Sequence, residues 1–265
     1  MSLKTRIQNI QKFVGVKPDG VIGVQTLSAL ERALGMVAVD DVVTVLSPST
    51  ANLTLSRKGI DKLIAFEVTS DSYYNKRLAA PTWPGGASGV TIGIGYDLGY
   101  RTKTAIKQDW GEHLSENHLA QLVSASGIKG EDARGVARSL KQAGVKITLE
   151  VAKIVFYTVS LPEFAEIAKR TYPGLEKLPP DAQSAIVSLV YNRGAKLQGS
   201  TRVEMANIKP FIRDNNLDAI AAEIESMKRL WVGEGLDGLL KRRDSEARLV
   251  KNSVRDYNAD ELVYV

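Results

Sequence analysis

Ile60, Leu63, Ile64 and Glu67 fall at i, i+3, i+4 and i+7, one face of a 3.6-residue period, so a helix here carries a carboxylate at the end of its own apolar stripe. An unpaired glutamate on such a face is costly to bury. Desolvation keeps a carboxyl protonated near neutral pH and makes it a general acid, and carboxyls in such surroundings gather at functional sites. The blander alternative is a helix turned slightly, with Glu67 at its C-terminal rim and Lys62 or Lys76 pairing it at the surface.

Downstream runs Gly89-Val90-Thr91-Ile92-Gly93-Ile94-Gly95-Tyr96-Asp97-Leu98-Gly99, β-branched residues alternating with glycines. It reads as a hairpin strand whose glycines allow close approach of another chain or a ligand. If the run is extended, Thr91, Gly93, Gly95 and Asp97 point to one face, so Thr91 and Asp97 share a surface otherwise lined by glycine. In an ordinary hairpin, Asp97 would simply sit in the turn.

Glu67, the aromatic pair Tyr73-Tyr74 and Thr91-Ile92-Gly93-Ile94-Gly95 together resemble the catalytic core of phage-type lysozymes, the glycoside hydrolase family 24 muramidases. Ala185-Ile186-Val187-Ser188-Leu189-Val190-Tyr191-Asn192-Arg193-Gly194 is similar to the family's apolar helix ending in an aromatic-Asn-x-Gly turn. Ser200-Thr201, Trp231 and Gly238-Leu239-Leu240-Lys241-Arg242-Arg243-Asp244-Ser245-Glu246 resemble its C-terminal landmarks. They occur in the same order and span most of Arg57 to Val250.

The chain departs from the family's commonest pattern at one place. The aspartate expected soon after the glutamate is absent, and Asn75 and Lys76 occupy that neighbourhood. Pesticin-like muramidases resemble this chain in having Glu, then Thr, then Asp in the order and spacing of Glu67, Thr91 and Asp97. Asp71, one helical turn past Glu67, is the competing carboxylate. The resemblance implies Glu67 as general acid, Asp97 as base and Thr91 as holder of the attacking water. It also implies inversion at the anomeric carbon, with the carboxyls roughly 6.5 to 9.5 Å apart. Tyr73, Asn192, Arg202 and Trp231 are candidate substrate-binding residues by resemblance or position.

Leu3, Ile7, Ile10 and Val14 form a separate amphipathic stripe that Gly15 can terminate. Pro18-Asp19-Gly20 makes a turn, and Leu27, Leu30 and Leu34 mark a second helix. Helix, Asp19-Gly20-x-x-Gly23-x-x-Thr26, helix resembles the small three-helix peptidoglycan-binding module of cell-wall hydrolases, which implies wall contacts at Asp19 and Gly20. The expected organisation is a binding module over 1–38, a linker over 39–54, a catalytic domain over 55–252 and a tail over 253–265. The expected fold is α+β and mainly helical: a lysozyme-like domain with a small β-hairpin, preceded by a three-helix domain.

With 265 residues and 44% hydrophobic content, the chain can hold one small and one larger core. It has no cysteine, which excludes a disulfide framework and thiol nucleophiles. Of the net charge of +5, residues 55–252 carry +6, which suits an anionic polymer such as cell wall. Nucleic acid is not expected as a partner: that reading needs a basic face with aromatics, and Lys241-Arg242-Arg243 reads as a single solvated helix face. His113 and His118 lack the spacing of a metal-binding helix, and neither a metal nor another cofactor is expected.

No apolar run is long enough for a transmembrane helix, and Met1 to Val14 lacks the apolar core of a secretory signal. The expectation is a monomer made in the cytoplasm that reaches peptidoglycan through a holin lesion, as a phage endolysin, or by injection. The activity implied is cleavage of the MurNAc-GlcNAc β-1,4 bond. A lytic transglycosylase and a non-catalytic wall-binding protein are the alternatives.

Overall fold

The computed structural model describes residues 2–15, 18, 26, 30 and 52–265. The chain divides into two compact units, Met1–Val45 and Leu46–Val265. In the first, α1 (Leu3–Phe13) starts at Ser2, whose hydroxyl accepts from the Thr5 N–H, and ends where Gly15 turns with φ 76°. Asp19, Gly20 and the expected second helix from Leu27 to Leu34 lie outside the described residues, apart from Leu30.

The second unit is mainly helical with small antiparallel sheets. Its centre is α8 (Pro180–Arg193), in which every residue from Asp181 to Val190 is buried. A helix buried all round must satisfy its own polar side chains. Gln183 accepts from the Thr54 N–H and donates to Leu178 O, while the Ser184 hydroxyl accepts from the Ser56 N–H. These bonds fasten β1 (Thr54–Ser56) to the central helix.

From β1 the chain enters α2 (Arg57–Val68), capped by the Ser56 hydroxyl accepting from the Gly59 N–H. Ile60, Leu63, Ile64 and Val68 are buried. Gly59 lets α2 approach α8 closely, since a Cβ there would lie 2.3 Å from Ser184 Cβ. This close crossing holds the far end of α2, with Glu67, beside the end of α8.

The expected extended run is a tight hairpin: β2 (Thr91–Ile92) pairs with β3 (Tyr96–Asp97), and the chain reverses through Gly93 (φ 57°) and Gly95 (φ 73°). Thr91 lies directly opposite Asp97, so the two share a face through cross-strand pairing and not through alternation along one strand. Helices α3 (Lys103–Trp110), α4 (Glu116–Ser124), α5 (Glu131–Gln142), α6 (Leu149–Val155) and α7 (Leu161–Thr171) follow. After α8 come α9 (Val203–Arg213), α10 (Leu217–Ser226) and α11 (Asp237–Lys251).

Residues 253–265, expected to be a tail, are instead built into the fold. β4 (Leu262–Tyr264) pairs with β1, and Ser253, Val263 and Val265 are buried. Glu261 is used locally: Arg255 pairs with it, and Asn258 and Glu261 cap each other. Among the described residues, no helix is long and apolar enough to cross a membrane.

Candidate active site

Glu67 opens onto a cavity of about 520 Å³ that is also lined by Phe66, Thr69, Asn192, Lys241 and Arg242 and by Gly235, Leu236, Gly238 and Leu239. Its side chain is 24% exposed, so the apolar stripe ends at the cavity wall. The surround is not wholly apolar. Arg242 of α11 donates from Nη1 to Glu67 Oε1 at 2.6 Å, and among the described residues Oε2 has no partner. Neither Lys62 nor Lys76 is the partner that the rim alternative expected.

Arg242 is 4% exposed and held on every side. It donates to Glu246 Oε1 at 3.2 Å and to the carbonyl and hydroxyl of Ser188, each at 3.1 Å. The Ser188 hydroxyl donates to Glu246 Oε1 at 2.6 Å. Arg243 donates to the same oxygen at 3.0 Å and to Asn192 Oδ1 at 3.3 Å. Glu246 Oε2 lies 2.9 Å from Arg243 Nη2 as a charge contact without hydrogen-bond geometry. Burial pushes the Arg243 guanidinium below its ordinary value, and Glu246 opposes that.

The expected solvated face at Lys241-Arg242-Arg243 is therefore corrected: Arg242 and Arg243 are buried and Lys241 is exposed. Glu246 stands one helical turn beyond the two arginines and supplies their counter-charge. Lys241, at the cavity wall, has no anionic partner among the described residues.

Thr69 ends α2 with φ 61° and ψ −58°, and the Ser70 N–H donates to Val68 O at 2.6 Å. This is a γ-turn of the rare, strained hand, at a β-branched residue that lines the cavity. Strain of this kind gathers at functional sites.

Tyr191, next to the cavity-lining Asn192, ties the end of α8 to the hairpin. Its hydroxyl donates to Ile94 O at 2.5 Å, inside the turn between β2 and β3. Burial pushes that hydroxyl far above its ordinary value, and the charge of Glu67 adds to the effect. It is therefore a donor at every working pH, with Glu67 and the hairpin as its neighbours.

Asp97 is gripped by the backbone. Oδ1 accepts from the N–H groups of Gly99 (2.8 Å) and Gly89 (3.0 Å), and Oδ2 shares the Gly89 N–H at 3.0 Å. A carboxylate has about four lone-pair sites, so Oδ2 keeps accepting capacity. Thr91 is half-buried opposite it.

Of the sequence-derived candidates, Glu67 and Asn192 line one cavity, and Thr91 and Asp97 form one pair that does not line it. Asp71 is exposed at the start of the short turn Asp71–Tyr73. Tyr73 is exposed, whereas Tyr74 is buried with its hydroxyl donating to Ile147 O. Arg202 lies away from the cavity, with Nη1 3.6 Å from Met205 Sδ. Trp231 carries Arg193 over its ring at 4.8 Å and Arg243 at 5.9 Å. Sequence reasoning did not give Arg242, Ser188 or Tyr191 their places. The i, i+3 and i, i+4 relation of Arg243 and Arg242 to Glu246 was the available signal.

A family profile described as "Domain of unknown function (DUF8812)" matches residues 62–243, a span that runs from the Glu67 helix to Arg243. No curated protein matches the chain.

Proposed function

We propose that this chain, which belongs to the DUF8812 family, is a muramidase that cleaves the β-1,4 bond between MurNAc and GlcNAc of peptidoglycan. The family description assigns no activity, so the reading rests on the site and on the resemblance of its motifs to phage-type and pesticin-like muramidases. The observation that carries it is Glu67, held by a buried arginine on one oxygen and presenting the other at an open cavity.

Glycoside hydrolysis needs a carboxylic acid to protonate the leaving oxygen. With Oε1 accepting from Arg242, Oε2 is the oxygen left to pass a proton to the glycosidic oxygen. The glutamate becomes anionic as that bond breaks, and Arg242 is already placed to stabilise the new charge. In the same step Asp97 takes a proton from a water held by the Thr91 hydroxyl, and the water oxygen bonds to the anomeric carbon as the leaving oxygen departs, with inversion. Tyr191 ties the hairpin to the C-terminal end of α8, beside Glu67 of α2. The role that fits this chemistry is bacterial lysis by a phage endolysin acting on the cell wall.

One observation favours a second reading. Asp97 is already bound by two backbone N–H groups, and Glu67 is the only carboxylate among the residues that line the cavity. A lytic transglycosylase works with one glutamate and closes an anhydro ring on muramic acid instead of adding water. Mass spectrometry of fragments released from purified sacculi separates the two. Reducing muropeptides support the muramidase, anhydro ends support the transglycosylase, and no fragments at all overturn both.

A further inference from the structure

Helix α5 buries Ala133, Ala137 and Leu140 on its inner face. One position further round, Arg134, Arg138 and Lys141 repeat the i, i+4, i+7 spacing and are exposed along one side. With Pro81, Thr82 and Trp83 they line a groove of about 350 Å³ that contains no carboxylate. The Trp83 ring is fixed by its indole N–H donating to Ser88 O at 3.0 Å, and the Arg134 guanidinium lies 6.0 Å from the ring centroid. Arg134 meets Glu131 only at 3.8 Å with both side chains largely exposed, a contact worth little. Arg138 and Lys141 have no anionic partner among the described residues.

The groove is joined to the hairpin. Thr82 and Thr91 exchange both backbone hydrogen bonds, at 2.7 and 2.9 Å, so the groove wall is the strand beside Thr91. Three cations in a groove whose lining holds no carboxylate concentrate positive potential there, with Glu131 meeting Arg134 alone. Arginine forks match the geometry of carboxylate and phosphate, and an aromatic face offers an apolar platform for the group that carries the anion.

We propose that this groove is an accessory subsite for an anionic group borne on the polymer that passes Thr91. The identity of that polymer rests on the muramidase reading. Peptidoglycan carries carboxylates on its peptide stems and phosphates on wall-linked polymers, and both present the chemistry that the groove would take. The site adds hold on the polymer away from the bond being cleaved.

The test uses the full chain in a Glu67→Gln background, so that digestion does not disturb binding. Co-sedimentation is measured with untreated sacculi, with sacculi whose carboxylates have been amidated, and with sacculi stripped of phosphopolymers by hydrofluoric acid. Arg138→Gln combined with Lys141→Gln should weaken binding to untreated sacculi by on the order of tenfold and flatten its salt dependence. Trp83→Ala is the second variant and should weaken binding without changing that dependence. An equal loss for the parent protein on amidated sacculi assigns the anion to the stem, and on stripped sacculi to the phosphopolymer. Undiminished binding by the double variant overturns the proposal, as does a parent protein indifferent to both treatments. A protein with intact Glu67 that sediments normally but releases no fragments would reject the muramidase reading and leave the groove standing.

Discussion

Arg242 donates to Glu67 across 175 positions of sequence, Nη1 to Oε1 at 2.6 Å, and the same guanidinium holds Glu246 and Ser188 in the interior. One side chain therefore both fixes the candidate acid and neutralises a buried carboxylate.

The two partners should respond unequally to substitution. Arg242→Met takes from Glu246, 1% exposed, one of its two arginine partners and removes the charged donor to Glu67 and to the Ser188 carbonyl; with Arg243 still pairing Glu246, the loss should be about 2–3 kcal/mol. Glu67→Gln keeps an oxygen to accept from Arg242 at a partly exposed position and should change stability by about 1 kcal/mol or less. Urea unfolding of both variants checks this, and equal losses would contradict it.

Gly89 is the handle on Asp97. A Cβ at this position would lie 2.4 Å from Asp97 Oδ1 and 2.5 Å from Gly99 N, so Gly89→Ala must displace the carboxylate. If Asp97 is the base, Gly89→Ala and Asp97→Asn should each lower turnover by about 10²–10⁴-fold. Turnover within a few-fold of the parent in both variants would remove Asp97 from the chemistry and favour the transglycosylase.

Thr69→Gly should relieve the positive-φ turn at the cavity rim and raise stability by about 1 kcal/mol, while turnover falls because the rim loosens. Denaturant midpoints and turnover measured on the same preparation decide it. A loss of stability would mean that the Thr69 side chain contributes more than its backbone costs.

Stability should fall on the alkaline side. Burial raises the hydroxyls of Tyr74, Tyr96, Tyr172 and Tyr191 well above their ordinary value near 10, helped by Glu150 at Tyr74, Asp109 at Tyr96 and Glu67 at Tyr191. The unfolded chain gives up those protons near pH 10 and the folded chain keeps them. Their contribution is therefore whole below about pH 10 and is lost as the pH rises past it. Arg193, lowered to about 10 by burial and then by Arg202 and Arg243, works in the opposite direction above that pH. The tyrosines should prevail, giving a lower urea midpoint at about pH 11 than at about pH 8. A flat or rising midpoint would contradict this.

The helix bearing Glu67 was legible because it follows from a local period, and the shared face of Thr91 and Asp97 was expected from a strand period that the hairpin does not use. The route was only partly legible: Gly93 and Gly95 turn the chain, and pairing across the hairpin does what alternation was expected to do. Arg242 and Arg243 looked like a solvated cluster because their burial depends on α2 and α8, which are distant in sequence. The pairing of Leu262–Tyr264 with β1 was hidden for the same reason, since nothing local tells an edge strand from an acidic end.

The role of Glu67 as acid is tested most directly by the rate at which soluble fragments leave purified sacculi with the parent protein and with Glu67→Gln, both shown to be folded. Replacing the acid should lower that rate by about 10²–10⁴-fold, with the unfolding midpoint nearly unchanged. A Glu67→Gln variant that digests sacculi at the parent rate would contradict that role.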